Sequence, residues 1–251
     1  MKACALTDTG RVRTANQDYV YASVEPVGSL PNLFVVADGM GGHQAGDYAS
    51  RYIVENLVSY LQYTENSQIV PLLREGILKV NTMLYQESKE KPELSGMGTT
   101  LVAAVADENT LYVANVGDSR LYLVRDRIRQ VTRDHSYVEE LVSLGRLERG
   151  SKDYKDKKNI ITRAVGTEDK LLVDFFEVGL EPGDFILMCS DGLSNMLEDV
   201  EMEEIVGSDL ELEEKAEKLI TVANDNGGKD NIAVVLVDPQ IGREEIGRAH
   251  V

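Results

Sequence analysis

The stretch FVVADGMGGHQAGDYAS, residues 34–50, constrains the fold more than any other part of the chain. An apolar run suited to a buried strand ends in Asp38, and four glycines follow within eight residues. Ala45, Ala49, Ile53, Leu57 and Leu61 then recur every four residues, which predicts a helix over 45–61. Asp-Gly is a standard turn dipeptide, so a plain turn is the competing reading. A hairpin, however, needs a second strand after the glycines, and the pattern there is helical.

The rest of the chain supplies strands and helices in runs. KACALTD, DYVYASVE and NLFVVAD read as early strands, and Ile69, Leu72, Leu73, Ile77, Val80 and Leu84 mark a second helix to about residue 87. A meander of four short strands follows, TTLVAAVAD, TLYVANV, SRLYLVR and RIRQVTRD. A short helix is expected at about 136–144, ahead of the least apolar stretch, ERGSKDYKDKKN. LLVDFFEV and DFILMCS resume the strands, 211–224 is helical, and NIAVVLVD is the last strand. Elements in runs indicate an α+β chain rather than a doubly wound parallel sheet. Continuous apolar strands such as LFVVA and IAVVLV call for burial on both faces. Two stacked antiparallel sheets flanked by helices satisfy both requirements.

No linker-like segment or repeat divides the 251 residues, so a single domain over 1–239 is expected. The tail, 240–251, ends in IGRAHV, which has no apolar face and matches the translation of a sequencing adapter; it is set aside from the fold. With 43 acidic against 26 basic residues, the formal charge of −17 argues against nucleic acid or anionic membrane as a partner. Cys4 and Cys189 form no disulfide framework and are expected to be buried, reduced thiols. No apolar stretch is long enough to span a bilayer, and MKACALTDTGRVR meets charges too early for a signal peptide. The expected location is cytoplasmic.

The carboxylate of Asp38 has counterparts. Asp191 ends the buried run FILMCS, Asp230 precedes IAVVLV, Asp118 sits in NVGDSR at the tip of an expected hairpin, and Asp18 opens DYVYASVE. Any one of them alone is an ordinary turn residue. If the strand of Asp230 runs antiparallel to those of Asp38 and Asp191, however, all three reach one edge of the core. Carboxylates crowded at one low-dielectric spot repel one another unless a cation neutralises them. Oxygen donors suit Mg²⁺ or Mn²⁺, no His/Cys cluster has zinc spacing, and the Gly39 carbonyl could itself be a ligand. Neither a P-loop nor a dinucleotide fingerprint fits these glycines.

In order, the chain carries GRVRTANQD, VVADGMGGHQAGDYAS, GMGTTLVAA, VANVGDSRLYLV, TRDHS, NIITRAVG, CSDGLSNML and GGKDNIAVV. Over roughly residues 5–238 this succession resembles the bacterial branch of the protein phosphatase 2C (PPM) family of metal-dependent Ser/Thr phosphatases. The resemblance implies a four-layer αββα sandwich and hydrolysis of phosphoserine and phosphothreonine in proteins by a metal-activated water. It implies two to three Mn²⁺ or Mg²⁺ ions, with Asp38 bridging two of them and Gly39, Asp191 and Asp230 completing the pair. Asp118, with Asp191, would hold a third ion, Asp18 would act through water, and Arg13 would grip the substrate phosphate.

A bacterial Ser/Thr kinase is an expected partner, and a monomer the expected state. Two departures narrow what carries over. Met40 stands where animal members place a histidine as general acid, so His43 is assigned only a supporting role beside the ligands. DKKN replaces a proline-containing approach to NIIT in the flap, about 136–160, where substrate choice is set. The lysines at 152, 155, 157 and 158 could draw an acidic phosphoprotein there, or could simply be solvated. The competing functions are a non-catalytic binding module of the same fold and a phosphatase dedicated to one regulatory partner.

Overall fold

The computed structural model describes residues 1–42 and 45–241. His43 and the adapter-like tail therefore lie outside the described residues, as does the expectation attached to each. One sheet holds β1 (Lys2–Asp8), β11 (Ile232–Asp238), β10 (Phe185–Cys189), β7 (Arg120–Val124) and β8 (Ile128–Gln130), in that order. The other holds β2 (Asp18–Ser23), β3 (Leu33–Met40), β5 (Leu101–Asp107), β6 (Thr110–Val116) and β9 (Asp174–Gly179), with the short β4 (Gly98–Thr99) paired to the end of β3. Every pairing of these strands is antiparallel.

Alternation along the strands builds three apolar layers. Phe34 and Val36 of β3 meet Ile186, Met188, Ala233 and Val235 between the sheets. Leu33, Val35 and Ala37 of the same strand turn the other way, under α1 (Ala45–Tyr63) and α2 (Ile69–Glu90). On the far side, Val234 and Leu236 of β11 pack beneath α6 (Asp199–Val206) and α7 (Leu212–Asp225). β3 and β11 are thus apolar on both faces because each has a buried layer on both. The expected sandwich of two antiparallel sheets between helices is the observed architecture.

The meander is corrected. Spacing made β5 to β8 one sheet with Asp118 at a hairpin tip, but β5–β6 and β7–β8 are hairpins of different sheets. Residues 117–119 carry the chain across from one sheet to the other, with Gly117 at φ 103°. Two helices were not foreseen, α5 (Asp191–Ser194) and α6, and the polar stretch after α3 (Tyr137–Ser143) contains α4 (Lys152–Lys157). Cys189 is fully buried under the α6–α7 layer, as expected, whereas Cys4 is only half-buried.

Phe34 is 0% exposed where the two sheets meet. Phe34→Ala should cost about 3–5 kcal/mol, because the cavity adds to the lost transfer energy. Phe175→Ala, at a half-buried position, should cost less; urea unfolding of both variants measures the difference.

Candidate metal centre

The carboxylates meet where the two sheets come together at one end. Asp18 and Asp38 face each other across the β2–β3 ladder. Asp191 stands two residues after β10 and opens α5, Asp230 stands two residues before β11, and Asp118 lies on the crossover from β6 to β7. A cavity of about 280 Å³ is lined by Asp38, Asp118, Asp191 and Asp230, with Arg13 and Gly39 at its walls. The crossover is what admits Asp118; a hairpin tip would have left it on one sheet alone.

Backbone contacts of the strands set these side chains. The Asp38 N–H donates to Thr100 Oγ1 at 3.0 Å, and its carbonyl accepts from the Thr100 N–H at 2.8 Å and from Thr99 Oγ1 at 2.9 Å. The Gly39 N–H donates to the Gln17 carbonyl at 3.0 Å, and a Cβ at position 39 would lie 2.0 Å from the Gly46 carbonyl oxygen. The glycines after Asp38 therefore first let the start of α1 close on β3. Gly192 has the same function beside Asp191, since a Cβ there would lie 1.8 Å from the Asn231 carbonyl oxygen.

Four residues that the sequence reading passed over hold this frame together. Ser190 Oγ donates to Asp18 Oδ2 at 2.6 Å and accepts from the Ala233 N–H at 2.9 Å, tying the two sheets at the site. Asn231 donates to the carbonyls of Thr9 and Ala15 and accepts from the Gln17 N–H, which fixes the loop carrying Arg13. Thr100 shares a hydroxyl hydrogen bond of 2.7 Å with Ser119, next to Asp118. His135 is paired twice with Gly117: its N–H donates to the Gly117 carbonyl at 2.9 Å, and its Nδ1 accepts from the Gly117 N–H at 3.0 Å. An accepting Nδ1 puts the ring proton on Nε2, which donates to Asp174 Oδ2 at 3.0 Å. Burial holds His135 below the usual histidine range, consistent with a neutral ring. Only adjacency to an aspartate or glycine of the same block could have flagged these residues.

Burial combined with mutual repulsion shapes the electrostatics. Burial pushes Asp18 up to about 7, Asp118 to about 8 and Asp191 to about 6, and neighbouring carboxylates add to each shift. Asp38 is raised well above the carboxylate range by burial and then by the charges of Asp18, Asp191, Asp118 and Asp230. Asp18 Oδ1 is buried without a fixed hydrogen-bond donor; the residue opposite it, Asp38, can donate only while protonated and offers further acceptors once ionised. Arg13 Nη2 lies 2.8 Å from Asp230 Oδ2, at the rim, with half its side chain exposed.

An oxygen-only donor set, an orphaned buried carboxylate oxygen and repulsion that Arg13 relieves only at Asp230 fit a hard divalent cation. Among the described residues, no three His, Cys, Asp or Glu side chains close on a single point as an all-protein cage would. The arrangement instead suits ions that keep part of their water, as Mg²⁺ does when held by one or two carboxylates.

A sequence model described as Protein phosphatase 2C matches residues 9–236. The serine/threonine phosphatase stp of Listeria monocytogenes is 44% identical over 237 residues, covering 92% of this chain and 93% of its own. Protein phosphatase PhpP of Streptococcus pneumoniae is 41% identical over 243 residues, covering 94% and 97%. The crystal structure of serine/threonine phosphatase Stp1 from Staphylococcus aureus superposes with a TM-score of 0.86 at 35% identity, covering 94% of this chain and 93% of that one.

If repulsion among the buried carboxylates is what a cation relieves, removing one charge should relieve part of it. Asp38→Asn is expected to raise the thermal midpoint at pH 8 in a chelator, and to lose most of the further rise that Mn²⁺ gives the parent chain. Scanning calorimetry of both proteins, with and without Mn²⁺, measures the two effects.

Proposed function

The chain belongs to the protein phosphatase 2C family, and we propose that the carboxylates between its two sheets hold two to three Mn²⁺ or Mg²⁺ ions. It is a metal-dependent protein-serine/threonine phosphatase, a hydrolase of phosphate monoesters in proteins. Asp38, Asp191, Asp230 and the Gly39 carbonyl would hold the principal pair, Asp118 with Asp191 a third ion, and Asp18 would act through water. Bound there, the ions supply an acidified water and neutralise the phosphoryl oxygens.

The remaining work falls to the protein. Arg13 sits at the mouth on a loop pinned by Asn231 and by the Arg11 N–H to the Gly228 carbonyl at 2.7 Å, so its planar fork meets an incoming phosphate in a fixed place. Gripping two phosphoryl oxygens, it exchanges Asp230 for the substrate and keeps the scissile bond in line for attack. Ser190 keeps Asp18 aimed into the site, and His135 keeps the crossover of Asp118 in place. Cys189 has no part in a covalent route: burial pushes its thiol up to about 12, and it packs away from the carboxylates.

The catalytic unit proposed is residues 1–239, with 136–160 as the flap beside the site. Phosphorylated proteins are the substrates, and a Ser/Thr kinase of the same cell is proposed among them, with the enzyme acting as a cytoplasmic monomer. Among the described residues, no helix is long and apolar enough to cross a membrane. The observation that carries the metal-centre reading is the set of buried, mutually repelling carboxylates around one cavity, with Asp18 Oδ1 unsatisfied.

Hydrolysis of p-nitrophenyl phosphate should require Mn²⁺ or Mg²⁺, stop in EDTA, and collapse in Asp230→Asn. Arg13→Ala should lower kcat/KM about ten- to a hundredfold, the loss of a charge-assisted contact to phosphate. Metal-independent turnover, or full activity in Asp230→Asn, would overturn the site assignment.

A further inference from the structure

The flap distributes its four lysines unequally. Lys155 and Lys158 line a cavity of about 250 Å³ whose walls also carry Asp118, Asp134, Asp191, Glu198 and Arg120, and Lys152 and Lys157 are not among its lining residues. The two inward lysines lie one turn apart, at the end of α4, on the same side of that helix. Their cavity shares Asp118, Asn159 and Asp191 with the candidate metal centre, so the two adjoin.

α4 is held in this pose. Ser151 caps it, accepting from the Tyr154 N–H at 3.3 Å, and Tyr154 donates its hydroxyl to Glu139 of α3 at 2.7 Å. Lys158 is half-buried and Lys155 exposed, and among the described residues neither is in an ion pair. Half-burying an ammonium costs free energy that only a nearby negative charge offsets, and burial does lower Lys158 from the usual lysine range, with Asp191 opposing. The carboxylate of Asp191 is also the one expected to be engaged by cations, which leaves Glu198 as the weaker carboxylate acting on Lys158 and gives the ammonium groups capacity for a further anion.

The wider surroundings agree. In a chain with formal charge −17, Arg13 lines one of two adjoining cavities and Lys155 and Lys158 the other, and Lys229 is close enough to Lys158 to act on it. The positive charge is local to the lysine wall, because the same cavity carries Glu198 and an Asp134 already paired with Arg120; once cations neutralise Asp118 and Asp191, that wall can attract an anionic segment.

We infer that Lys155 and Lys158 form a subsite for a second anionic group of the substrate, a carboxylate or a second phosphoryl group on the segment flanking the phosphoresidue. The subsite rests on the phosphatase reading and adds the substrate class to it: phosphoproteins dephosphorylated within acidic or multiply phosphorylated segments. It also divides the flap lysines into two that read substrate and two that are solvated.

The test uses three sets of phosphothreonine peptides: neutral flanks, flanks scanned with Glu on either side, and flanks carrying a second phosphothreonine. Each is turned over by the parent enzyme, by Lys155→Gln/Lys158→Gln and by Lys152→Gln/Lys157→Gln. The readout is the ratio of kcat/KM for an anionic-flank peptide to that for the neutral one, which cancels any general loss of activity in a variant. The parent should prefer at least one anionic-flank position by about fivefold, as two partly exposed ion pairs would give. The preference should vanish in the 155/158 variant, persist in the 152/157 variant, and shrink with salt. A preference for Glu and phosphothreonine alike identifies a general anion subsite; a preference for phosphothreonine alone identifies the phosphoryl group.

No preference in the parent, or a preference lost equally in both double variants, overturns the inference while turnover of the neutral peptide leaves the phosphatase reading intact. Failure to hydrolyse any peptide in Mn²⁺ overturns both.

Discussion

The structure depends on the repulsion among carboxylates buried where its two sheets meet. Asp18 and Asp38 are neighbours on one sheet, Asp191 and Asp230 belong to the ends of strands on the other, and Asp118 lies on the segment joining them. Asp18, Asp38, Asp118 and Asp191 are raised in pKa, and burial is the first cause in each. A fold gains nothing in stability from such a cluster on its own. It can be maintained because the layers around it, apolar on both faces of β3 and β11, stabilise the sandwich independently of the site.

The same constraint explains the surrounding hydrogen bonds. Carboxylates that repel must be held by something other than their mutual attraction, and here the hold comes from neutral groups. Ser190 donates to Asp18, Thr100 clamps the Asp38 backbone, and the His135 ring and backbone grip Gly117 beside Asp118. Neutral donors and acceptors fix direction without cancelling charge, so the negative potential stays available to cations and, through them, to phosphate. Arg13 and the flap lysines then supply positive charge at the rim, where Arg13 is paired with Asp230 until substrate and cations take up the two partners.

Much of this was legible in the sequence, and what was not has physical reasons. The strand of Asp38 and the helix after it were visible because a continuous apolar run gave way to a four-residue period. The opposed strands of Asp191 and Asp230 followed from which end of each apolar run bore the carboxylate, and β10 and β11 do pair antiparallel. Residues 117–119 were misread because a short Gly-Asp-Ser link serves a hairpin or a crossing between sheets equally well; which one forms depends on whether β7 finds β6 or β10. α5 spans only four residues, too few to show a period, and α6 begins with a Glu198–Glu201 capping box in place of the usual Ser or Thr signal. Ser190, Asn231 and His135 act through hydrogen bonds across elements distant in sequence, which no local pattern encodes. The flap lysines formed one run in sequence; only the pose of α4 separates the inward pair from the outward pair.

The most direct measurement is the anomalous difference density of crystals grown or soaked in Mn²⁺. The account predicts two strong peaks within the cavity, bridged by Asp38 and shared among Gly39, Asp191 and Asp230, with any third peak beside Asp118. Peaks elsewhere, or an empty cavity with Asp230 still paired to Arg13 at saturating Mn²⁺, would contradict it.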